Sequence, residues 1–252
     1  MLRYARLALS LLTIAPVAPR GEMREGEFAR AAAFYPLIGA LVGLVGWAVD
    51  SACGARVPEL VRGLLVVASW AVVTRGLHLD GLADTVDGLA TLGGREKALS
   101  VMRDPRIGAL GAAALVIVVA TQAASIAGLP GAASSRGGAL VAAAVASRLA
   151  MTLSAWLLPS ARETGLGALV IGRVRMPVTL AACALAAACA FAAGRESALA
   201  TLAVGCGAGL VASGVAALKL RGATGDTLGA SGEIAQTAAL VWASSAWAQG
   251  AS

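Results

Sequence analysis

The chain has 252 residues, of which 58% are hydrophobic and only 13% are charged, and its mean hydropathy is +0.80. These values lie far outside the range of soluble domains and predict an all-α, polytopic integral membrane protein. The net charge of +6 comes without a polybasic run, which argues against nucleic-acid binding and favours loops at a lipid bilayer. The four cysteines lie in apolar segments without CxxC spacing, so neither a zinc site nor a disulfide framework is indicated.

The N-terminal segment combines basic and apolar residues. Arg3 and Arg6 precede an apolar run from Leu7 to Ile14, which is about as long as the core of a signal peptide. The run continues into Pro16 and Pro19 and then into a charged stretch. We therefore predict a retained amphipathic segment at the membrane surface rather than a signal peptide.

Seven apolar windows have the length of a membrane-spanning helix, about 17 to 25 residues. No break in composition separates two domains, so we expect residues 1–252 to form a single polytopic domain with about seven transmembrane helices. The second and last windows are the least certain in extent because each contains or adjoins polar motif residues. The predicted spans are 34–53, 62–79, 109–129, 138–158, 177–194, 198–218 and 233–249.

Lys and Arg residues are distributed unequally between alternate loops. If the N-terminus is inside, the inner segments hold fifteen of them and the outer loops hold four, with Arg148 left within a span. Since positive residues are enriched on the cytoplasmic side, we predict a cytoplasmic N-terminus. The connector 80–108 and the loops 159–176 and 222–232 then open on one cytoplasmic face, where a single site could include all of them.

The main acidic motif is LHLDGLADTVDG at residues 77–88. On an α-helix, Asp80, Asp84 and Asp87 fall within an arc of about 60°, so the three carboxylates share one face. No Lys or Arg within the motif neutralises them, and unpaired charges beside apolar spans are costly. Oxygen ligands of this kind suit a hard ion, so the motif predicts a Mg²⁺ site for phosphate chemistry. The alternative is a solvated helix flank whose acids cap helices or form salt bridges.

A second motif, VMRDPRIGALG at residues 101–111, contains Arg103, Asp104 and Arg106. Two guanidinium groups beside an acidic metal site can hold phosphate oxygens in a bidentate manner. Anchoring by positive charge on the cytoplasmic side would also explain arginine here. Asp104 followed by Pro105 predicts the N-cap and first residue of the third span.

A third motif, RGATGDTLGASGE at residues 221–233, places Asp226 and Glu233 seven residues apart. The two acids share a face if the last helix starts early, and the interleaved glycines leave backbone amides open to an anion. A simple glycine-rich helix start is the alternative interpretation. Together with the first motif, the third motif gives two acidic clusters on one membrane face.

Two further polar residues lie in apolar surroundings. His78, the only histidine, points about 160° away from Asp80 on a regular helix, which favours a structural or supporting role over metal ligation. Arg148 lies within a predicted span, where an unpaired cation is expensive. We expect it to reach Asp226, one of the three Asp residues of the first motif, or a substrate phosphate.

Taken together, the motifs resemble the cobalamin synthase family, the adenosylcobinamide-GDP ribazoletransferases. The matching strings occur in family order and cover nearly the whole chain, and the long Asp string is the most specific of them. They are LLTIAPV, FYPLIGALVG, GLHLDGLADTVDGLA, VMRDPRIGALG, SRLAM, ETGLGAL and GATGDTLGASGE.

The resemblance implies an enzyme of the bacterial cytoplasmic (inner) membrane that carries out the last step of coenzyme B12 nucleotide loop assembly with Mg²⁺. The donor would be adenosylcobinamide-GDP, the acceptor α-ribazole or its 5′-phosphate, and GMP would leave. Candidate protein partners are a second copy of the chain and other corrinoid-assembly enzymes.

On this basis each motif residue has an expected role in the site. Asp80, Asp84, Asp87 and Asp226 are the expected Mg²⁺ ligands, Asp84 and Asp87 are the expected catalytic residues, and Asp87 is the candidate general base. The expected substrate-binding residues are His78, Arg103, Arg106, Arg148 and Glu233.

Other membrane proteins also place acids at similar spacings. CDP-alcohol phosphotransferases require an Ala-Arg pair soon after their Asp-Gly, whereas here Asp84 follows Leu82 and Ala83. Membrane prenyltransferases usually carry an Asn ahead of their acids, which this motif lacks. An ion-coupled transporter would place its acids near the bilayer midplane in broken helices, whereas these acids lie at the predicted ends of spans.

Overall fold

The computed structural model describes residues 1–24 and 26–249. Residues 25 and 250–252 of the predicted single domain lie outside the described residues. Within those ranges the chain is all-helical, as predicted, apart from turns, loops and one isolated β-bridge between Ser160 and Ala223. The helices are α1 (Leu2–Leu12), α2 (Glu27–Ala31), α3 (Tyr35–Cys53), α4 (Glu59–Val73), α5 (Leu77–Ala90), α6 (Arg95–Val101), α7 (Ala109–Ala127), α8 (Ala133–Leu157), α9 (Met176–Leu220) and α10 (Gly225–Gln249). Short 3-10 turns occupy Ala32–Phe34, Gly54–Arg56 and Gly167–Leu169.

Several helices are long and apolar enough to cross a membrane, which identifies the chain as a membrane protein. Among the described residues there are five such stretches, or six if α4 and α5 form one bent span. The predicted windows 62–79 and 233–249 correspond to α4 with the start of α5 and to α10. The number seven therefore stays a prediction. The five stretches are Glu27–Arg56, Ala109–Ala127, Ala133–Leu157, Met176–Gly194 and Glu196–Leu220.

Helix α8 forms the centre of the bundle and packs against α3, α9 and α10. Buried residues make up 83% of its most apolar window, against 22% for the first half of α9. The close approach of these helices depends on small residues. A Cβ added at Gly39 or Gly43 of α3 would collide with the backbone of α8. A Cβ added at Gly209 of α9 would collide with Ala150 of α8 and Ser231 of α10. The Ala and Gly richness of the sequence thus serves helix packing.

Helix α9 contains two antiparallel halves. A straight helix of 45 residues would be about 67 Å long. Both of its ends nevertheless lie at the same end of α8, because Gly172 N–H donates to Ala155 O just before α9 and Ala223 N–H donates to Pro159 O just after it. The chain therefore crosses the bundle and returns, in agreement with the separate spans predicted at 177–194 and 198–218.

A sharp bend separates α4 from α5, whose axes differ by 93°. Arg75 and Gly76 both have positive φ angles, 56° and 64°, and Gly76 N–H donates to Ala71 O at 2.7 Å. Glycine adopts this left-handed conformation without the steric cost that a Cβ imposes. The bend turns the acidic motif away from the axis of α4 and across the end of the bundle.

A buried ion pair joins the helices at the other end of the bundle. Arg136 of α8 donates to both carboxylate oxygens of Asp50 in α3, at 3.0 and 2.7 Å, and also to the carbonyl oxygens of Leu129 and Ile126. Arg62 of α4 lies 3.3 Å from the same carboxylate. Asp50 is 2% exposed, so its charge depends on these two guanidinium groups.

We expect Asp50→Ala to destabilise the protein by roughly 3 kcal/mol, because it leaves the buried Arg136 without a carboxylate to balance its charge. Thermal unfolding in detergent, followed by circular dichroism, measures the effect. Asp104→Ala is the matched control, since its ion pair with Arg106 lies at the surface and contributes little to stability. Equal unfolding midpoints for the two variants would contradict this account.

Candidate active site

The acidic helix α5 is held at both of its ends. At its start, Gly81 packs so closely against α10 that an added Cβ would lie 2.7 Å from the carbonyl oxygen of Asp226. At its end, Lys219 of α9 donates to the carbonyl oxygens of Leu89 and Thr91, at 2.9 and 2.6 Å. Helix α5 is thus fixed against α9 and α10, which holds its acidic face in a defined position.

The start of α10 is determined by its own threonines. Thr224 Oγ1 accepts from Thr227 N–H, and Thr227 Oγ1 accepts from Thr224 N–H, at 3.2 and 2.8 Å. This reciprocal pattern satisfies N–H groups that lack a partner in the first turn of a helix. Helix α10 therefore starts at Gly225, and Asp226 in its first turn lies beside α5.

Asp80 and Asp84 line a cavity of about 320 Å³, the acidic cavity. Its other walls come from the loop after α6, including Arg103 and Asp104, and from Leu115 of α7. Asp80 is exposed and Asp84 is partly exposed. Arg103 thus lines the same cavity as these carboxylates, and its role in binding phosphate stays a prediction.

Asp80 also lines a second cavity of about 290 Å³, the apolar cavity. Its walls include Leu12 of α1, Phe28 of α2 and Tyr35 of α3, together with the loop 160–168. Asp226 and its neighbours at the start of α10 also line it. The N-terminal segment, predicted to be amphipathic, forms a helix whose buried face contributes to this wall.

Asp226 forms an ion pair with Arg162, in which the Nη1 to Oδ2 distance is 2.8 Å. Arg162 also lines the apolar cavity, and its Nε has no hydrogen-bond partner within the described ranges. From the sequence alone, Arg162 is only one of the basic residues of an inner loop. Its position one residue before the ETGLGAL string was the only signal, and the pairing joins residues 64 positions apart.

Electrostatic interactions join the carboxylates into one group. Asp84 interacts with Asp80, Asp226 and Asp87, and Arg162 is the one cation that offsets them in this set. Like charges that interact in this way repel one another, so a bound cation would stabilise the arrangement.

Asp87 has a different environment from the other acids. Its Oδ2 accepts from Gly108 N–H at 2.7 Å and its Oδ1 accepts from Gly111 N–H at 2.8 Å. The carboxylate thereby caps α7 and interacts favourably with the positive end of that helix. The predicted N-cap at Asp104 and Pro105 is wrong, because α7 starts at Ala109, and its cap comes from another helix.

Asp104 pairs with Arg106 instead of capping a helix. Arg106 Nη2 lies 2.6 Å from Asp104 Oδ2, and the hydrogen bonds from Arg106 lower the pKa of Asp104 to about 2. The Arg106 side chain is 87% exposed and does not line the acidic cavity. The structure thus separates the two arginines of the motif, with Arg103 at the cavity and Arg106 on the surface.

Arg148 and Glu233 belong to a polar network in the interior of the bundle. Arg148 Nη1 donates to Gln236 Oε1 at 3.0 Å and to Ser147 Oγ, while Glu233 accepts from Gln122 Nε2 at 2.9 Å. Arg148 interacts electrostatically with Glu233 as well. Arg148 therefore does interact with an acid, but this acid is Glu233 and not one of the candidate Asp residues, and its hydrogen-bond partners are polar residues of α8 and α10.

His78 faces the interior, whereas Asp80, two residues later on α5, is exposed. His78 is 1% exposed and lines the apolar cavity. Gly229 of α10 packs directly against its backbone, since an added Cβ would lie 3.2 Å from His78 Cα. His78 is thus part of the same cavity as Asp80 and Asp226.

The donor set suits a hard divalent cation that is shared with a substrate. In the described part of the chain, no group of three or more His, Cys, Asp or Glu residues is arranged to hold a metal ion without other ligands. Mg²⁺ is typically bound by one or two carboxylates, water and substrate phosphates, which does not require such a group. Asp80 and Asp84, side by side on one cavity wall, fit this requirement.

We expect Asp87→Asn to lower the unfolding temperature while decreasing kcat less than tenfold. The asparagine side chain can accept a hydrogen bond from only one of the two N–H groups that Asp87 caps at the start of α7. Losing a cap costs about 1 kcal/mol. Thermal unfolding and steady-state kinetics on the same sample measure both effects. A kcat loss of about a hundredfold or more with unchanged stability would instead support the predicted role of Asp87 as general base.

Comparisons with known proteins agree with the motifs. The model of the cobalamin-5-phosphate synthase family matches residues 4–244. A protein of Roseiflexus sp. (strain RS-1) named adenosylcobinamide-GDP ribazoletransferase is 36% identical, over 92% of this chain and 86% of the relative. One of the same name from Pseudomonas fluorescens is 34% identical, over 93% of this chain and 96% of the relative. No solved structure matches the chain. The chain therefore belongs to the cobalamin-5-phosphate synthase family.

Proposed function

We propose that the protein is an adenosylcobinamide-GDP ribazoletransferase. It would transfer the adenosylcobinamide phosphate group from adenosylcobinamide-GDP to α-ribazole or its 5′-phosphate and release GMP. The names of the relatives support this reaction. The single observation that carries the proposal is the position of Asp80, which borders both the acidic cavity and the apolar cavity. A transfer reaction brings two substrates to one point, and two cavities that meet at one carboxylate allow this.

In the proposed mechanism, the acidic cavity takes the pyrophosphate of the donor. Asp80 and Asp84 would hold Mg²⁺ there, and Asp226 would complete the acidic face. The ion would neutralise the pyrophosphate and the charge that develops on the leaving GMP. Arg103 would donate hydrogen bonds to phosphate oxygens from the opposite wall. Arg162 would orient Asp226 through their ion pair.

The chemical step is a displacement at phosphorus. The hydroxyl oxygen of the acceptor forms a bond to the phosphorus that carries the cobinamide, and the bond from that phosphorus to the GMP oxygen breaks. The hydroxyl proton would pass to a carboxylate oxygen that does not hold the ion, and the second oxygen of Asp80 is better suited to this than Asp87. Both oxygens of Asp87 already accept backbone N–H groups, whereas Asp80 is exposed to both cavities.

The remaining predicted residues have supporting roles in this proposal. Arg148 and Glu233 line neither cavity and would stabilise the polar interior of the bundle through their hydrogen bonds to Gln236 and Gln122. Arg106 is paired with Asp104 and would reach substrate only if that pair opened. The positive-inside distribution of Lys and Arg supports a site that faces the cytoplasm from the bacterial inner membrane.

A product assay tests the proposal. Purified protein in detergent is incubated with adenosylcobinamide-GDP, α-ribazole and Mg²⁺, and nucleotides and corrinoids are separated by chromatography. We expect GMP and a corrinoid that contains the ribazole, in equal amounts and only when both substrates are present. GMP release that is independent of the acceptor would indicate a hydrolase and would contradict the proposal.

A further inference from the structure

The apolar cavity contains a buried polar group that lacks a partner. His78 is 1% exposed, and neither its Nδ1 nor its Nε2 has a hydrogen-bond partner among the described residues. An unsatisfied buried polar group costs about 1 to 3 kcal/mol, so a ligand that supplies the missing bond gains affinity. A neutral imidazole offers one N–H donor and one nitrogen acceptor. The cavity wall is therefore suited to a ligand with a polar ring atom.

The rest of the cavity wall is of two chemical kinds. Leu12, Phe28 and Tyr35 belong to one apolar cluster and give it an apolar part. Asp80 and the ion pair between Arg162 and Asp226, in the first turn of α10, give it a polar part. A ligand that fits this arrangement has a flat, largely apolar body at one end and hydroxyl groups at the other, which is the chemistry of a nucleoside with an aromatic base.

The volume of the cavity separates the corrinoid from the nucleosides. It is about 290 Å³, near the lower limit of the usual range for small-molecule sites, about 300 to 1,000 Å³. A nucleoside is of this size, whereas a corrinoid macrocycle with its side chains is several times larger. The donor's guanosine is also small enough, but guanine carries polar groups along its edge, so the mainly apolar wall suits the less polar base of the acceptor better.

We infer that the apolar cavity is the acceptor site, and that His78 determines acceptor affinity by a hydrogen bond to a ring nitrogen of the nucleoside base. This inference rests on the proposed function. The base lies between Phe28 and His78, and the ribose hydroxyl that attacks the donor lies towards Asp80. Asp80 is the residue common to both cavities, so the hydroxyl and the donor phosphate meet there.

Steady-state kinetics with each substrate varied in turn tests the inference. His78→Phe keeps an aromatic ring but has no hydrogen-bonding atom, and we expect it to raise the KM for the acceptor roughly tenfold or more while the KM for the donor changes less than about twofold. Arg103→Gln is the matched control at the acidic cavity. It should raise the KM for the donor and leave that for the acceptor unchanged.

A second variant tests the cavity without altering the interior. Ala168 lies on the loop 160–168, is partly exposed and lines the apolar cavity, so Ala168→Trp should fill the cavity and raise the KM for the acceptor even if His78→Phe fails to fold. The inference is overturned if the wild type is active and both variants keep the wild-type acceptor KM. It is also overturned if both variants raise the KM for the acceptor and the KM for the donor equally. A wild type that forms no product would instead reject the proposed function.

Discussion

Replacing Asp84 with asparagine is expected to decrease the rate of product formation about a thousandfold, which is the scale for losing a group that acts directly on a transition state. Asp84 lines the acidic cavity and interacts electrostatically with the three other acids of the site. Asparagine has nearly the same shape but lacks the charge that attracts a divalent cation. The kinetics are measured in detergent at saturating concentrations of both substrates.

Membrane insertion and folding should not change in this variant. The side chain is partly exposed, and α5 is held by Gly81 and Lys219 rather than by Asp84. Expression in the membrane fraction and the unfolding temperature in detergent provide the control. A folded Asp84→Asn protein that retains most of the wild-type turnover would refute the role of the acidic cavity in catalysis.

The second large effect is expected at Arg162, a residue that the sequence analysis did not single out. We expect Arg162→Gln to decrease kcat about a hundredfold, because Asp226 loses its charged partner and its orientation towards α5. Arg162→Lys should recover part of the loss, since lysine keeps the charge but not the planar geometry of the guanidinium group.

Arg175→Gln is the matched control for this experiment. Arg175 lies just before α9, is exposed, and lines neither the acidic cavity nor the apolar cavity. Its replacement removes the same charge from the same end of the bundle and should leave kcat within about twofold of the wild type. Equal losses for Arg162→Gln and Arg175→Gln would mean that overall positive charge matters, and not the ion pair with Asp226.

Local patterns were sufficient to predict much of the fold. The apolar windows identified the long helices and also the two halves of α9, because hydrophobicity and length report directly on a membrane span. The acidic motif lies on a helix, α5, as assumed when its three Asp residues were placed on one face, and His78 is buried on that helix whereas Asp80 is exposed. These are properties of neighbouring residues on one helix, so no tertiary contact was needed.

Other features depend on contacts between distant residues, which local periodicity does not contain. The cap of α7 comes from Asp87, more than twenty residues earlier, so the nearby Asp104 and Pro105 gave a misleading helix start. Arg62 and Arg136 were counted as loop charges, whereas both contact the buried Asp50. The pairing of Arg162 with Asp226 likewise arises only when the two loops meet at the end of the bundle.

The central claim is that Asp80 and Asp84 act through a divalent cation on the donor pyrophosphate. The most direct test measures GMP release with adenosylcobinamide-GDP and α-ribazole after the protein has been treated with a chelator and dialysed. The account predicts no release without metal and full recovery on addition of Mg²⁺, with no recovery in Asp84→Asn. Undiminished GMP release from the metal-free protein would contradict it.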